Sequence, residues 1–241
     1  IGLIDQDSYF GDSNTGIYVR RNGTGSTTNL LRIRDCRINI NSSWGIDFDG
    51  GSQLQLYCND IEANGTTTVV TTGGIAIRGA LAPDSLVAGV VLEGNWLESN
   101  LGRSLFVEAP TGGVDTTIVI SGGNILAAES GRAITVLGAS NVSIRDLKCL
   151  TPGDTWDITC THLVLENSTT ATLTDTGVTY PHYRGFATST ASFIKGKEDS
   201  YTGTLTGCTT SPTADIFVVQ DGDEVTITIG STISGTSNTT S

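Results

Sequence analysis

The chain has no methionine, only two histidines and five prolines, and its 13 lysines and arginines face 25 aspartates and glutamates. So acidic a balance disfavours a surface that tracks phosphates, and no nucleic-acid partner is expected; another polyanion would need local basic residues to bind it. No apolar run reaches the 18 residues of a membrane-spanning helix. The first residues lack the basic and apolar stretches of a secretory leader, so neither membrane insertion nor secretion by that route is expected. His162 and His182 have no Cys or second His at ligand spacing, which argues against a zinc site and a histidine-based triad. Calcium-loop, phosphate-loop and dinucleotide motifs are missing too, and no cofactor or metal is expected. The five cysteines (Cys36, Cys58, Cys149, Cys160 and Cys208) form no CxxC pair and read as reduced structural thiols. Opening in mid-pattern at Ile1 without a methionine, the segment reads as a piece of a longer chain.

What the sequence does have is a repeat. An apolar residue is followed five positions later by another at Ile33/Ile38, Leu56/Ile61, Leu92/Leu97, Ile120/Ile125 and Ile144/Cys149. Upstream of each pair lies an apolar segment centred on Ile17, Ile46, Ile75, Leu105 and Ile134, spaced 29, 29, 30 and 29 residues apart. Strand-like alternation at such a period predicts an all-β solenoid, because one repeat cannot bury its inner face without neighbours. A right-handed parallel β-helix over residues 1–166 is expected, with two strands per repeat and inward residues at every second position.

Laying the repeats over one another sorts the surface. Asn41, Asn64 and Asn100 align as a hydrogen-bonding ladder that ends at Ala128, and Arg20, Asp49, Arg78 and Glu108 alternate in sign. Asp47 falls between Tyr18 and Ala76, apparently without a charge partner. Val91, Val119 and Val164 line an outward column, and Phe106 with Leu137 interrupts another; such apolar stripes suggest a subunit interface, with a homotrimer as the first expectation. Residues 167–200 lose the period and read as a linker or interchain wrap. From Tyr201 to Ser241 a small antiparallel β module is expected, with a turn at Asp221 to Asp223, cut off at the end of the sequence.

One outward cluster has no evident structural role. Asp60 and Glu62 flank Ile61, Trp96 and Glu98 flank Leu97, and Arg37 lies one repeat below. Two carboxyls about 5–9.5 Å apart are the requirement for glycosidic cleavage, and neighbouring strands supply such distances. Glu62 and Glu98 share a column, so mutual repulsion is expected to raise one pKa towards that of a general acid. Trp96 offers a flat face for a sugar ring, and Tyr57 and Glu93 occupy the next outward column. The expected catalytic set is Glu62, Glu98 and Asp60, with Trp96, Tyr57, Glu93 and Arg37 binding substrate.

The stretch YTGTLTGCTTSPTADIFVVQDGDEVTITIGSTISGTSNTTS (Tyr201 to Ser241) resembles the C-terminal β module of bacteriophage tailspikes and tail fibres, in which TGTLTGCTTSPTG-like and SGTSN-like strands flank a hairpin. Here Ala214 stands where the family's usual SPTG has its glycine. The upstream repeats look like the pectate-lyase-like β-helix of phage tailspikes, by pattern over about 160 residues. The resemblance implies a virion tail protein, assembled in the host cytoplasm, that binds and in enzymatic members depolymerises bacterial capsule or O-antigen. Two alternatives stand beside it: a non-enzymatic adhesion or structural fibre, and a secreted pectate-lyase-like enzyme.

Overall fold

The computed structural model describes residues 2–5, 8–20, 30–49, 51–66, 71–78, 88–109, 116–127, 132–150, 154–170, 172–175, 177–188, 191–194, 197–204, 213–221 and 224–229. Among these the chain is all-β, without a helix, and is dominated by large parallel sheets, as a parallel β-solenoid requires.

Strands recur in three parallel rows. Row one stacks Thr15–Arg20, Trp44–Asp49, Gly73–Arg78, Arg103–Glu108 and the first half of Arg132–Arg145. Row two stacks Gly2–Ile4, Leu31–Arg34, Gln53–Tyr57, Gly89–Glu93, Thr117–Ser121 and the second half of Arg132–Arg145. Row three stacks Tyr9–Gly11, Arg37–Asn39, Asp60–Glu62, Trp96–Glu98, Ile125–Ala127 and Lys148–Cys149. Each repeat therefore has three strands where the sequence pattern suggests two. The apolar pair straddles a bend: Ile33 ends in row two and Ile38 lies in row three.

The bend explains the spacing of the pair. Residues five apart on a straight strand face opposite sides, yet Ile33 and Ile38 are both fully buried. A left-handed residue between the strands turns the chain so that both face inward. Asp35, Cys58, Gly94, Gly123, Asp146, Asn167 and Gly185 occupy that place, all with φ between 46° and 77°. A second left-handed column, at Asp12, Ile40, Ala63 and Ser99, turns row three into the next repeat. Inside, Ile17, Ile46, Phe48, Ile75, Ile77, Leu105, Val107, Ile134 and Val136 meet the apolar residues of the other rows in one continuous core.

Each bend leaves buried peptide groups that the row hydrogen bonds do not reach. Asparagines satisfy them. The Asn64 side chain donates to Asn100 Oδ1 (2.9 Å) and to the Ile38 carbonyl (3.0 Å), and accepts from the Asn41 backbone N–H (3.2 Å) and side chain (2.8 Å). The expected ladder of Asn41, Asn64 and Asn100 is thus present, and a second one, unforeseen, follows the first left-handed column. There Asn59 donates to Asn95 Oδ1 (2.9 Å) and Asn95 to Asn124 Oδ1 (3.0 Å), with Cys36 N–H on Asn59 below.

The stack also continues past the expected boundary at 166. Thr172–Thr174 and Tyr180–Arg184 pair in parallel with Thr155–Glu166, and Thr169–Thr170 with Lys148–Cys149. The repeat shortens here to 21 residues between Leu147 and Ser168, and its strands are Thr-rich, so neither period nor hydropathy marks it. Trp156, Tyr183 and Phe186 pack as a buried aromatic group in this region, with centroids 5.7 and 5.8 Å apart. Beyond it Lys197–Thr204, Thr213–Asp221 and Glu224–Ile229 form an antiparallel sheet, its first strand starting four residues before Tyr201. Ala128, Cys208, Gly222 and Asp223 lie outside the described residues.

Three column readings change. Arg20, Asp49, Arg78 and Glu108 do align, but Arg78 Nη1 lies 3.4 Å from Asp47 Oδ2, so Asp47 has the charge partner that its own column lacks. Phe106 and Leu137 belong to different columns, with Ala76 and Thr135 beside the first and Glu108 beside the second. The valine column is interrupted, since Ser143 separates Val119 from Val164.

Two stability outcomes follow. Asn64→Ala strands buried amide and carbonyl groups and should cost about 2–4 kcal/mol, read as a lowered denaturant midpoint at unchanged slope. Asp154 is fully buried, and neither carboxylate oxygen has a hydrogen-bond partner among the described residues. Burial pushes it up to about 6, and the Cys149 thiol beside it offsets little of this. A carboxyl raised in the folded state loses stability as pH rises from about 4 through about 6. Asp154→Asn should therefore raise the melting temperature at pH 7 but not at pH 4, in paired thermal scans.

Candidate functional site

Register brings the predicted residues together in row three. Trp96 pairs with Asp60, Asp60 with Arg37, and Arg37 with Tyr9 in one outward column. Glu98, Glu62 and Asn39 form the next column on the same face. Residues 65 to 90 do not disturb this alignment, because Asp60–Glu62 and Trp96–Glu98 pair along their whole length. Tyr57 and Glu93 pair with each other in row two, across the Cys58 and Gly94 bend, and join the cluster only as a flank. Arg32 covers the Tyr57 ring at 6.0 Å, and Glu93 is exposed.

Arg37 organises the acids. Its Nη2 donates to Glu62 Oε1 at 2.5 Å, and its Nε lies 3.4 Å from Asp60 Oδ2. Asn39 Nδ2 adds a longer bond to Glu62 Oε1 at 3.4 Å. The like-charge repulsion expected in the Glu62 and Glu98 column does not raise Glu62: the Arg37 hydrogen bond holds the Glu62 carboxyl below its ordinary value, against a smaller opposing effect of burial. Asp60 moves the other way. Burial raises its pKa first, then the nearby Glu62 charge and more weakly Glu98, while Arg37 pulls it down. Asp60 rather than Glu62 is thus shifted towards a proton donor.

The aromatics frame these charges. Trp96 is 38 % exposed, and its indole N–H donates to Glu98 Oε2 at 2.7 Å, which fixes the ring relative to the acid column. At the other end Tyr9, 53 % exposed, lines a depression of about 460 Å³ with Asp35, Cys36, Arg37, Cys58 and Asp60. Tyr9 is the member that sequence reasoning missed. Its signal was available, since Tyr9-Phe10-Gly11 aligns with Arg37-Ile38-Asn39, but the first apolar pair begins only at Ile33. Among the described residues no group of three or more His, Cys, Asp or Glu is arranged to hold a metal ion.

The chain matches no family model, no curated protein and no solved structure. The functional reading therefore rests on the residues.

The electrostatic assignment has a direct check. In Arg37→Ala both Glu62 and Asp60 lose a cation, so both carboxyls should titrate at higher pH in carbon-detected NMR, Glu62 moving further. A Glu62 titration left unchanged would show that Arg37 does not set it.

Proposed function

We propose that the chain belongs to a bacteriophage tailspike or tail fibre, a right-handed parallel β-helix followed by a small β module that engages bacterial capsule or O-antigen. The parallel rows support the solenoid, and right-handed winding is the rule for parallel crossovers. The likeness of Tyr201 to Ser241 to the phage module supports the virion assignment. The observation that carries the glycan reading is the row-three column, where exposed Tyr9 and Trp96 bracket Arg37 and Asp60. Flat apolar faces beside charged donors and acceptors suit a sugar ring, which has an apolar face and a rim of hydroxyls. Assembly as a homotrimer follows the same reading, with the column containing Val91 and Val119 at the subunit contact.

A cleaving form of this function is favoured by Asp60 alone, a carboxyl raised by burial beside Glu62, a carboxylate kept ionised. Asp60 would serve as general acid and Glu62 or Glu98 as its partner.

The test is retention of purified capsules and O-antigens from a bacterial panel on the immobilised protein, with sedimentation to read the oligomer. At least one polysaccharide should be retained; retention of none overturns the glycan reading. Where a retained polysaccharide is also shortened, Asp60→Asn should cut reducing-end release about a hundredfold or more while leaving retention intact. Shortening that persists in this variant would remove Asp60 from the chemistry.

A further inference from the structure

Row one carries a groove of about 860 Å³ that the row-three cluster does not use. It exists because one repeat is small where its neighbours are large. Gly73 and Ala76 lie between Trp44 and Asp47 on one side and Arg103 and Phe106 on the other. A Cβ on Gly73 would come within 1.9 Å of the Arg103 carbonyl oxygen, so this position admits no larger residue. Over the gap Trp44 stacks on Phe106 at 6.2 Å. Arg78 lies 5.6 Å from the Trp44 ring, and Arg103 lies 4.6 Å from the Phe106 ring. Tyr18, 55 % exposed, forms the near wall beside Asp47.

Asp47 is the unexplained member. Its side chain is 10 % exposed, its Oδ2 has only the 3.4 Å ion pair to Arg78, and its Oδ1 has no hydrogen-bond partner among the described residues. A buried carboxylate oxygen without a donor is costly, and the fold gains nothing visible from it. The carboxyl torsion is soft and two-fold, so either oxygen can turn to a donor arriving in the groove. Burial also raises the Asp47 pKa, more than Arg78 lowers it.

We propose that this groove is a second sugar subsite, in which Asp47 accepts hydrogen bonds from the hydroxyls of one neutral hexopyranose, Arg78 donates to a neighbouring oxygen, and Tyr18 stacks on the ring face. This rests on the glycan reading above and gives it a separate location. Neutrality follows from the charges: in and beside the groove the three acids Asp47, Asp49 and Glu108 balance the three arginines Arg20, Arg78 and Arg103, leaving no cationic excess for an acidic sugar.

The experiment is saturation-transfer NMR on the intact protein with methyl pyranosides of glucose, galactose, mannose and rhamnose at millimolar concentration, beside the polysaccharide retention assay. At least one glycoside should receive saturation from the wild-type chain. In a Trp96→Ala background, which removes the row-three platform, transfer should persist, and adding Asp47→Asn or Tyr18→Ala should each weaken it about tenfold. Tyr18 is exposed, so its variant keeps the test valid if Asp47→Asn disturbs folding. Transfer that survives both groove variants in that background, or that Trp96→Ala alone abolishes, overturns the subsite. So does the absence of transfer to every glycoside; polysaccharide retained by that same protein would leave the general glycan reading standing.

Discussion

Everything in this structure depends on satisfying the peptide groups at the bends. A strand row satisfies its own backbone, but a chain that turns inward between rows buries amides and carbonyls at each corner. Unpaired, each would cost on the order of 1–3 kcal/mol, and the cost would recur at every repeat. The asparagine ladders remove it. Asn59, Asn95 and Asn124 at one corner, and Asn41, Asn64 and Asn100 at the other, each donate to a carbonyl of the repeat below, and all but the last of each ladder donate to the oxygen of the next asparagine. Each ladder asparagine follows a residue in the left-handed conformation, so bend and ladder form one device. The device is strong enough to hold Ile40, a β-branched residue, at φ 57°, where such side chains are strained.

Because the corners fix the register, outward chemistry is set by columns rather than by neighbours in sequence. Arg37, Asp60 and Trp96 are 23 or more residues apart along the chain yet adjacent in space. The same rule decides electrostatics. Glu62 takes the Arg37 hydrogen bond and stays ionised, while burial and the neighbouring Glu62 charge push Asp60 up, though the two carboxyls are separated by one residue. Columns also make concavities: a glycine and an alanine at two positions of one repeat open row one between Trp44 and Phe106.

Much of the fold could be read from the sequence because burial leaves a strong trace. Of the apolar positions that define the repeat, all but Ile125 are buried or packed against the core; Ile125 pairs with outward Trp96, and Leu126 takes the inward place beside Leu97. The i, i+5 pair held more than a repeat length, for an odd separation with both members inside demands a bend, and hence a third strand. The second ladder was equally present, as Asn59, Asn95 and Asn124 each precede a row-three strand. What could not be read were interactions that cross columns diagonally. Arg78 reaches Asp47 rather than its register partner Asp49, and Arg37 spans both Asp60 and Glu62, because long side chains choose among several acids. The Thr-rich repeat after Asn167 was invisible for a different reason: its stack is held by strand pairing and an aromatic group, and leaves no aliphatic alternation.

The ladder imposes one more constraint, on the row-one strand of the preceding repeat. A Cβ at Gly16 would lie 2.7 Å from Asn41 Nδ2, one at Gly45 would lie 2.8 Å from Asn64 Nδ2, and one at Gly74 would lie 3.1 Å from Asn100. Approaches under 3.0 Å are closed to a real Cβ and one of 3.1 Å is tight, so an asparagine at the corner favours glycine early in the row-one strand one repeat before it. The pairing breaks where the asparagine does. After Asn100 the series ends, and the strand positions that follow Gly74 in that column are Ser104 and then Ala133, both fully buried. Glycine here is therefore not a flexible joint but the space left for a buried amide. The corner chemistry thus reaches into row one, whose outward side chains line the groove, and a substitution at Gly45 or Gly74 would displace ladder and groove together.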